Sequence, residues 1–162
     1  MLYMLHIEDI VRSMHYEEDK IDSIIIENIK EDDGKKEEIR QWYYTIASEL
    51  KSKEKRPINH CNEVEEVLVE LSFLHNTLIN IVKDKGYIAK YEKAQPAIQE
   101  LIKKSNKEEI NEVQACFNGL FGMLYLKMKK QTITEETQQA IESIKAVVTH
   151  LAKEYHKMKQ EA

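Results

Sequence analysis

The chain has 162 residues, a 42% apolar fraction, a 33% charged fraction and a formal net charge of −5. That length supports one hydrophobic core and is too short to expect two, so residues 1–162 read as a single domain. Four glycines and two prolines are too few for the turns of a β-sandwich or barrel, and the acidic balance disfavours a nucleic-acid backbone as partner.

Apolar spacing then predicts helices in chain order. Helix 1 runs from the first residues to about Met14, with Tyr3, Met4, Ile7, Ile10, Val11 and Met14 inward and Leu2 and Leu5 on the opposite side. Helix 2 begins at Glu17-Glu18-Asp19, carries Ile21, Ile24, Ile25 and Ile29, and is expected to stop at Asp32-Asp33-Gly34. Helix 3 covers about Lys36 to Lys53, with Ile39, Trp42, Tyr43, Ile46 and Leu50 inward, and Pro57 marks the break after it. Helix 4 is expected from about Asn59 to Lys85, ended by Gly86, with a stripe through Val64, Val67, Leu68, Leu71, Leu74, His75, Leu78 and Val82. A less regular stretch follows, and Pro96 suits the first turn of a short helix 5 carrying Ile98, Leu101 and Ile102. Helix 6 spans about Glu108 to Lys130, with Ile110, Val113, Phe117, Leu120, Phe121, Leu124 and Met128 on one face, and helix 7 follows an N-cap at Thr134 with Ile141, Ile144, Val148, Leu151, Tyr155 and Met158 inward. Helices 4, 6 and 7 are expected to be the longest and helix 6 the most buried. Short connections favour antiparallel neighbours, so the fold class is all-α, an up-and-down bundle of six or seven helices.

Lysine and arginine gather at predicted helix C-termini and acids at N-termini, where each meets the helix dipole favourably. Those runs therefore read as solvated helix ends rather than nucleic-acid patches. The stretch Leu120 to Leu126 is too short to span a bilayer, and the opening residues lack the basic start of a signal peptide. Two cysteines, Cys61 and Cys116, make no disulfide scaffold, and a cytoplasmic location is expected. No partner of membrane type is anticipated.

Chemistry-bearing patterns are sparse. No histidine follows a glutamate by three residues, and there is no His-x-x-x-His, Cys-x-x-Cys or glycine-rich phosphate loop. No catalytic residue, metal or cofactor is therefore assigned. His75 is the titratable group inside an apolar stripe, and it reads as a buried, hydrogen-bonded histidine or as part of a small polar pocket with Trp42, Tyr43, Tyr91 or an acid from helix 1, which would make the chain a small-ligand binder or an unrecognised enzyme. Ala115, Gly119 and Gly122 line one side of helix 6, where glycine suggests close approach by a neighbouring helix. Surplus apolar groups stand at Leu2 and Leu5 on helix 1 and at Val69 and Phe73 on helix 4. They point to a self-associating interaction module, a homodimer first and a complex with another protein second.

The segments Leu2 to Arg12, Glu38 to Tyr43, Leu74-His75, Cys116 to Gly122 and Leu126 to Thr134 together resemble a bacterial family of small all-helical proteins known only as a domain of unknown function. The resemblance covers nearly the whole chain. It implies a helical fold and brings no reaction, ligand or catalytic residue. Family members carry further helical sequence ahead of the part matching Leu2-Tyr3-Met4, so helix 1 is expected to be short here.

Overall fold

A computed structural model describes residues 1–56, 59–105 and 110–161. The fold is an all-α helical bundle. Its α-helices are α1 (Leu2–Ser13), α2 (Glu18–Ile24), α3 (Asp33–Ser52), α4 (Asn62–Asn80), α5 (Lys85–Lys104), α6 (Glu112–Met128) and α7 (Glu135–Glu161), with a 3-10 turn at Ile26–Asn28. The chain divides into two compact units, one of Met1 and Tyr3–Glu65, the other of Leu2 and Glu66–Ala162.

In the first unit Val11, Ile21, Ile26, Leu50, Cys61 and Val64 are buried almost completely. Helix α1 buries Ile7, Val11 and Met14 of the expected face and Leu5 of the side expected to lie opposite. Leu5 is buried at 6% exposure, whereas Tyr3 stands 66% exposed. The buried line through Leu5, Glu8 and Val11 places the Glu8 carboxylate against the backbone of Cys61, so the helix is enclosed on more than the apolar stripe. Helix α2 is shorter than expected and passes into the 3-10 turn.

The second unit is built on α5, α6 and α7, which pack on one another. Its deepest groups are Tyr87, Ala94, Ile98, Ile144, Val147 and Leu151. Helix α6 is not buried along its length. Its first half, from Val113 to Gly119, is mostly enclosed, but Leu124, Tyr125 and Met128 are exposed. Gly119 is a close-approach position, since a Cβ there would meet Leu101 Cδ1 at 2.6 Å, whereas nothing lies within 4 Å of one at Gly122.

The glycines expected to end helices instead begin them. Asp32 caps α3 by accepting from the Lys35 N–H at 3.0 Å, which puts Gly34 in the first turn. Asp84 caps α5 in the same way from Tyr87 at 2.8 Å, which puts Gly86 there too. The left-handed turns fall on His15, Tyr16, Lys83 and Lys130, all non-glycine. Helix α4 therefore stops before Lys83, and α5 absorbs the stretch around Tyr87 and Tyr91. Pro96 sits inside α5 rather than in its first turn. It removes the donor for the Glu92 carbonyl, and both residues are exposed, so water can replace the missing bond. As a result α7, α3 and α5 are the longest helices, at 27, 20 and 20 residues. Thr134 caps α7 by accepting from the Thr137 N–H at 3.2 Å. The break at Pro57 and the expected start of helix 6 at Glu108 lie outside the described residues.

Candidate functional site

His75 on α4 is buried, and its two ring nitrogens have different partners. Nε2 lies 3.2 Å from a Glu112 carboxylate oxygen on α6, and Nδ1 lies 2.7 Å from the Tyr87 hydroxyl on α5. A carboxylate can only accept, so Nε2 carries the hydrogen and the Nδ1 lone pair accepts from Tyr87. Glu112 also accepts from the Tyr91 hydroxyl, at 2.8 and 2.9 Å to its two oxygens, and from the Gln99 amide at 3.1 Å. The His75 ring meets Tyr87 and Tyr91 edge to face, with centroids 5.7 and 5.1 Å away.

Burial pushes the His75 pKa below its ordinary value, against the opposing pull of the Glu112 hydrogen bond and charge. Burial also raises Tyr91, pushed up to about 12 with help from its bond to Glu112, and raises Tyr87 further. The cluster thus holds a neutral imidazole and two protonated phenols, each with a partner. The cavity beside it, lined by His75, Glu112, Cys116 and Val147, has a volume of about 10 Å³. That is room for one water at most and for no organic ligand.

Of the predicted pocket residues, the structure brings His75 and Tyr91 together around Glu112. Trp42 and Tyr43 belong to the first unit, where their rings meet edge to face at 5.0 Å, and the His75 cluster is built without them. They share helical spacing with an apolar face, which periodicity alone cannot assign to a particular neighbour. The acid beside His75, expected from helix 1, is instead Glu112 of α6, and Tyr87 and Gln99 are further members that the sequence reading does not include. The usable signal was Glu112 near the expected start of helix 6, on the same strip as Cys116.

The first unit contains a second polar cluster. Glu8 on α1 is fully buried; it accepts from His60 Nδ1 at 2.8 Å, from the Cys61 N–H at 2.8 Å and from Arg12 Nη2 at 3.2 Å. Arg12 also donates to the Asn59 carbonyl. Buried Lys53 donates to the His60 carbonyl, Asn62 Oδ1 and Glu65 Oε2 at 2.9, 2.7 and 2.8 Å. Burial alone would raise the Glu8 pKa. The His60 hydrogen bond and charge, the Cys61 N–H and Arg12 outweigh it and hold Glu8 below its ordinary value. These bonds clamp the end of α3 and the start of α4 to α1. The sequence signal was Glu8 itself, four residues after Met4 and three before Val11, inside an apolar stripe.

Neither thiol is activated. Burial pushes both Cys61 and Cys116 up to about 12, so each remains a protonated, inert group. Among the described residues no group of three or more His, Cys, Asp or Glu is placed to hold a metal ion. No helix among them is long and apolar enough to cross a membrane.

The four surplus apolar residues separate into two kinds. Leu5 is buried within the chain and Leu2 is half-buried, so helix α1 offers no exposed leucine pair. Val69 and Phe73 stand 69% and 68% exposed, one turn apart on α4.

The sequence model of the family described as Domain of unknown function (DUF4924) matches residues 1–162, and the chain belongs to that family. No curated protein and no solved structure matches it.

Proposed function

We propose that this member of a family of unknown function is a non-enzymatic helical interaction module that self-associates through the outer face of α4. The observation that carries the reading is the exposure of Val69 and Phe73 as neighbours on one helix face. An isolated exposed apolar side chain is ordinary, but two large ones in contact range, followed by exposed Ile81 and Val82, favour burial against a partner.

A two-fold axis crossing α4 near Leu71 would set Val69 of each copy against Phe73 of the other, a self-complementary contact. The antiparallel arrangement also sets exposed Glu66 against exposed Asn76. A parallel pairing would instead oppose Glu66 to its own copy, and like charges facing each other disfavour it. Such an interface has to cover roughly 1,000 Å² in total to be specific.

Sedimentation at micromolar concentration tests this reading. The expected species has twice the chain mass of 19.1 kDa, and Phe73→Asp should return it to the chain mass with its helical circular dichroism unchanged. Leu5→Asp should damage folding instead, because Leu5 is interior. A wild-type protein that stays at the single-chain mass throughout the micromolar range overturns the proposal.

A further inference from the structure

A groove runs along the second unit between α5 and α7, with a volume of about 410 Å³, within the range of small-ligand sites. Lys90 of α5 and Lys145, Thr149, His150 and Lys153 of α7 line it, with Glu142 as an acidic neighbour. The spacing of 145, 149 and 153 places three donors along one strip of α7.

His150 organises the site. Its ring is largely buried, 15% exposed, and meets Tyr87 edge to face with centroids 5.3 Å apart. Its Nδ1 lies 2.9 Å from the Lys90 ammonium, which can only donate, so Nδ1 is the acceptor. Nε2 then carries the hydrogen and points toward Asp84 Oδ2, 3.6 Å away. The Tyr87 N–H fixes that carboxylate at the start of α5. A carboxylate, an imidazole and an ammonium thus stand in sequence, and they hold the Lys90 head at the groove.

The consequence is electrostatic. Lys20, Lys53, Lys104, Lys157 and Lys159 each pair directly with a carboxylate. Lys90 instead donates to a ring nitrogen of His150, which orients its ammonium, with the Asp84 carboxylate on the other side of the ring. Lys145 and Lys153 make no ion pair among the described residues. Three ammonium groups, none in a direct ion pair among the described residues, and a hydroxyl stand around one groove with Glu142 as its lining acid, more donors than a carboxylate monoanion would satisfy. They match a tetrahedral dianion, whose oxygens accept from several directions.

We propose that the α5–α7 groove binds a small phosphate monoester, with Lys90, Lys145 and Lys153 supplying the charge, Thr149 a hydroxyl donor, and His150 positioning Lys90. Glu142 opposes the anion and limits its affinity.

The test is an NMR titration of the full chain with inorganic phosphate and with phenyl phosphate, at constant ionic strength set by chloride. Saturable shifts should centre on Lys90, Thr149, His150 and Lys153. Lys90→Ala with Lys153→Ala should weaken binding by roughly tenfold or more, while Glu142→Gln should tighten it. His150→Phe, which cannot accept from Lys90, should weaken it without altering the helical circular dichroism. Shifts that never saturate overturn the site, as does phosphate binding that is unchanged in the double lysine variant or in Glu142→Gln. Acetate binding as tightly as phosphate overturns the phosphate assignment. Co-sedimentation with phosphatidic-acid vesicles, without any response to free phosphate or phenyl phosphate, overturns the small-molecule assignment.

Discussion

Replacing Glu8 tests whether the first unit depends on a buried charge rather than on apolar packing alone. Glu8→Ala removes a fully buried carboxylate and leaves the His60 ring, the buried Cys61 N–H and the Arg12 guanidinium without it. Breaking a buried charge pair on one side costs about 3–5 kcal/mol. Arg12 softens the loss, because its side chain is 32% exposed and keeps its bond to the Asn59 carbonyl. The expected destabilisation is therefore toward the lower end, about 3 kcal/mol. Glu8→Gln keeps one acceptor oxygen, which can serve His60 or Cys61 but not both, and should cost about 2 kcal/mol.

The assay is urea denaturation followed by the fluorescence of Trp42, the one tryptophan of the chain, which lies in the same unit. The pH dependence gives a second reading. The Glu8 pKa is lowered in the folded state, so its contribution is complete above its ordinary value of 4.5 and is lost as pH falls through the folded value. Glu8→Gln should flatten that acid limb. A Glu8→Ala loss below about 1 kcal/mol, the scale of an ordinary surface hydrogen bond, would refute the reasoning. An unchanged acid limb in Glu8→Gln would refute it as well.

His75 has a pH signature of the same sign, set at higher pH. Its folded pKa is lowered by burial, so stability is complete above the ordinary value of 6.5 and declines as pH falls below it, because the unfolded chain takes up the proton first. His75→Ala should cost about 1–3 kcal/mol near pH 8 and progressively less toward pH 5, and thermal melts across that range that keep a constant difference would contradict this. The two helical glycines of α6 should respond in opposite ways. Gly122→Ala should stabilise by about 1 kcal/mol, as expected when alanine replaces a helical glycine with open space around it. Gly119→Ala should lose that gain, because its Cβ would press on Leu101 at 2.6 Å, and equal melting temperatures for the two variants would count against the close approach.

Several features are set by local sequence and were legible there. Helical periodicity is a property of neighbours three and four residues apart, so the helices were readable without the fold. Thr134 ahead of Glu135 and Glu136 reads as a helix start because the cap bond spans only three residues. His75 between Leu74 and Leu78 reads as buried because the stripe around it is apolar.

Contacts across long stretches of chain were decided by tertiary structure. Glu8 meets His60 and Cys61 across 52 and 53 residues, and His75 meets Glu112 across 37. A periodic stripe says which residues of a helix lie together; it does not say how far the helix is rotated or which neighbour it faces. The stripe of α1 therefore does not announce that Leu5 is buried as well, and that of α3 does not tell which neighbours Trp42 and Tyr43 meet. Helix ends failed for a related reason. Asp32 and Asp84 could cap new helices only where the chain had already turned, and the left-handed turn before α5 fell on Lys83. A lysine adopts that backbone at a cost of about 1–2 kcal/mol, which the packing of the helices on either side offsets and which no local preference would reveal.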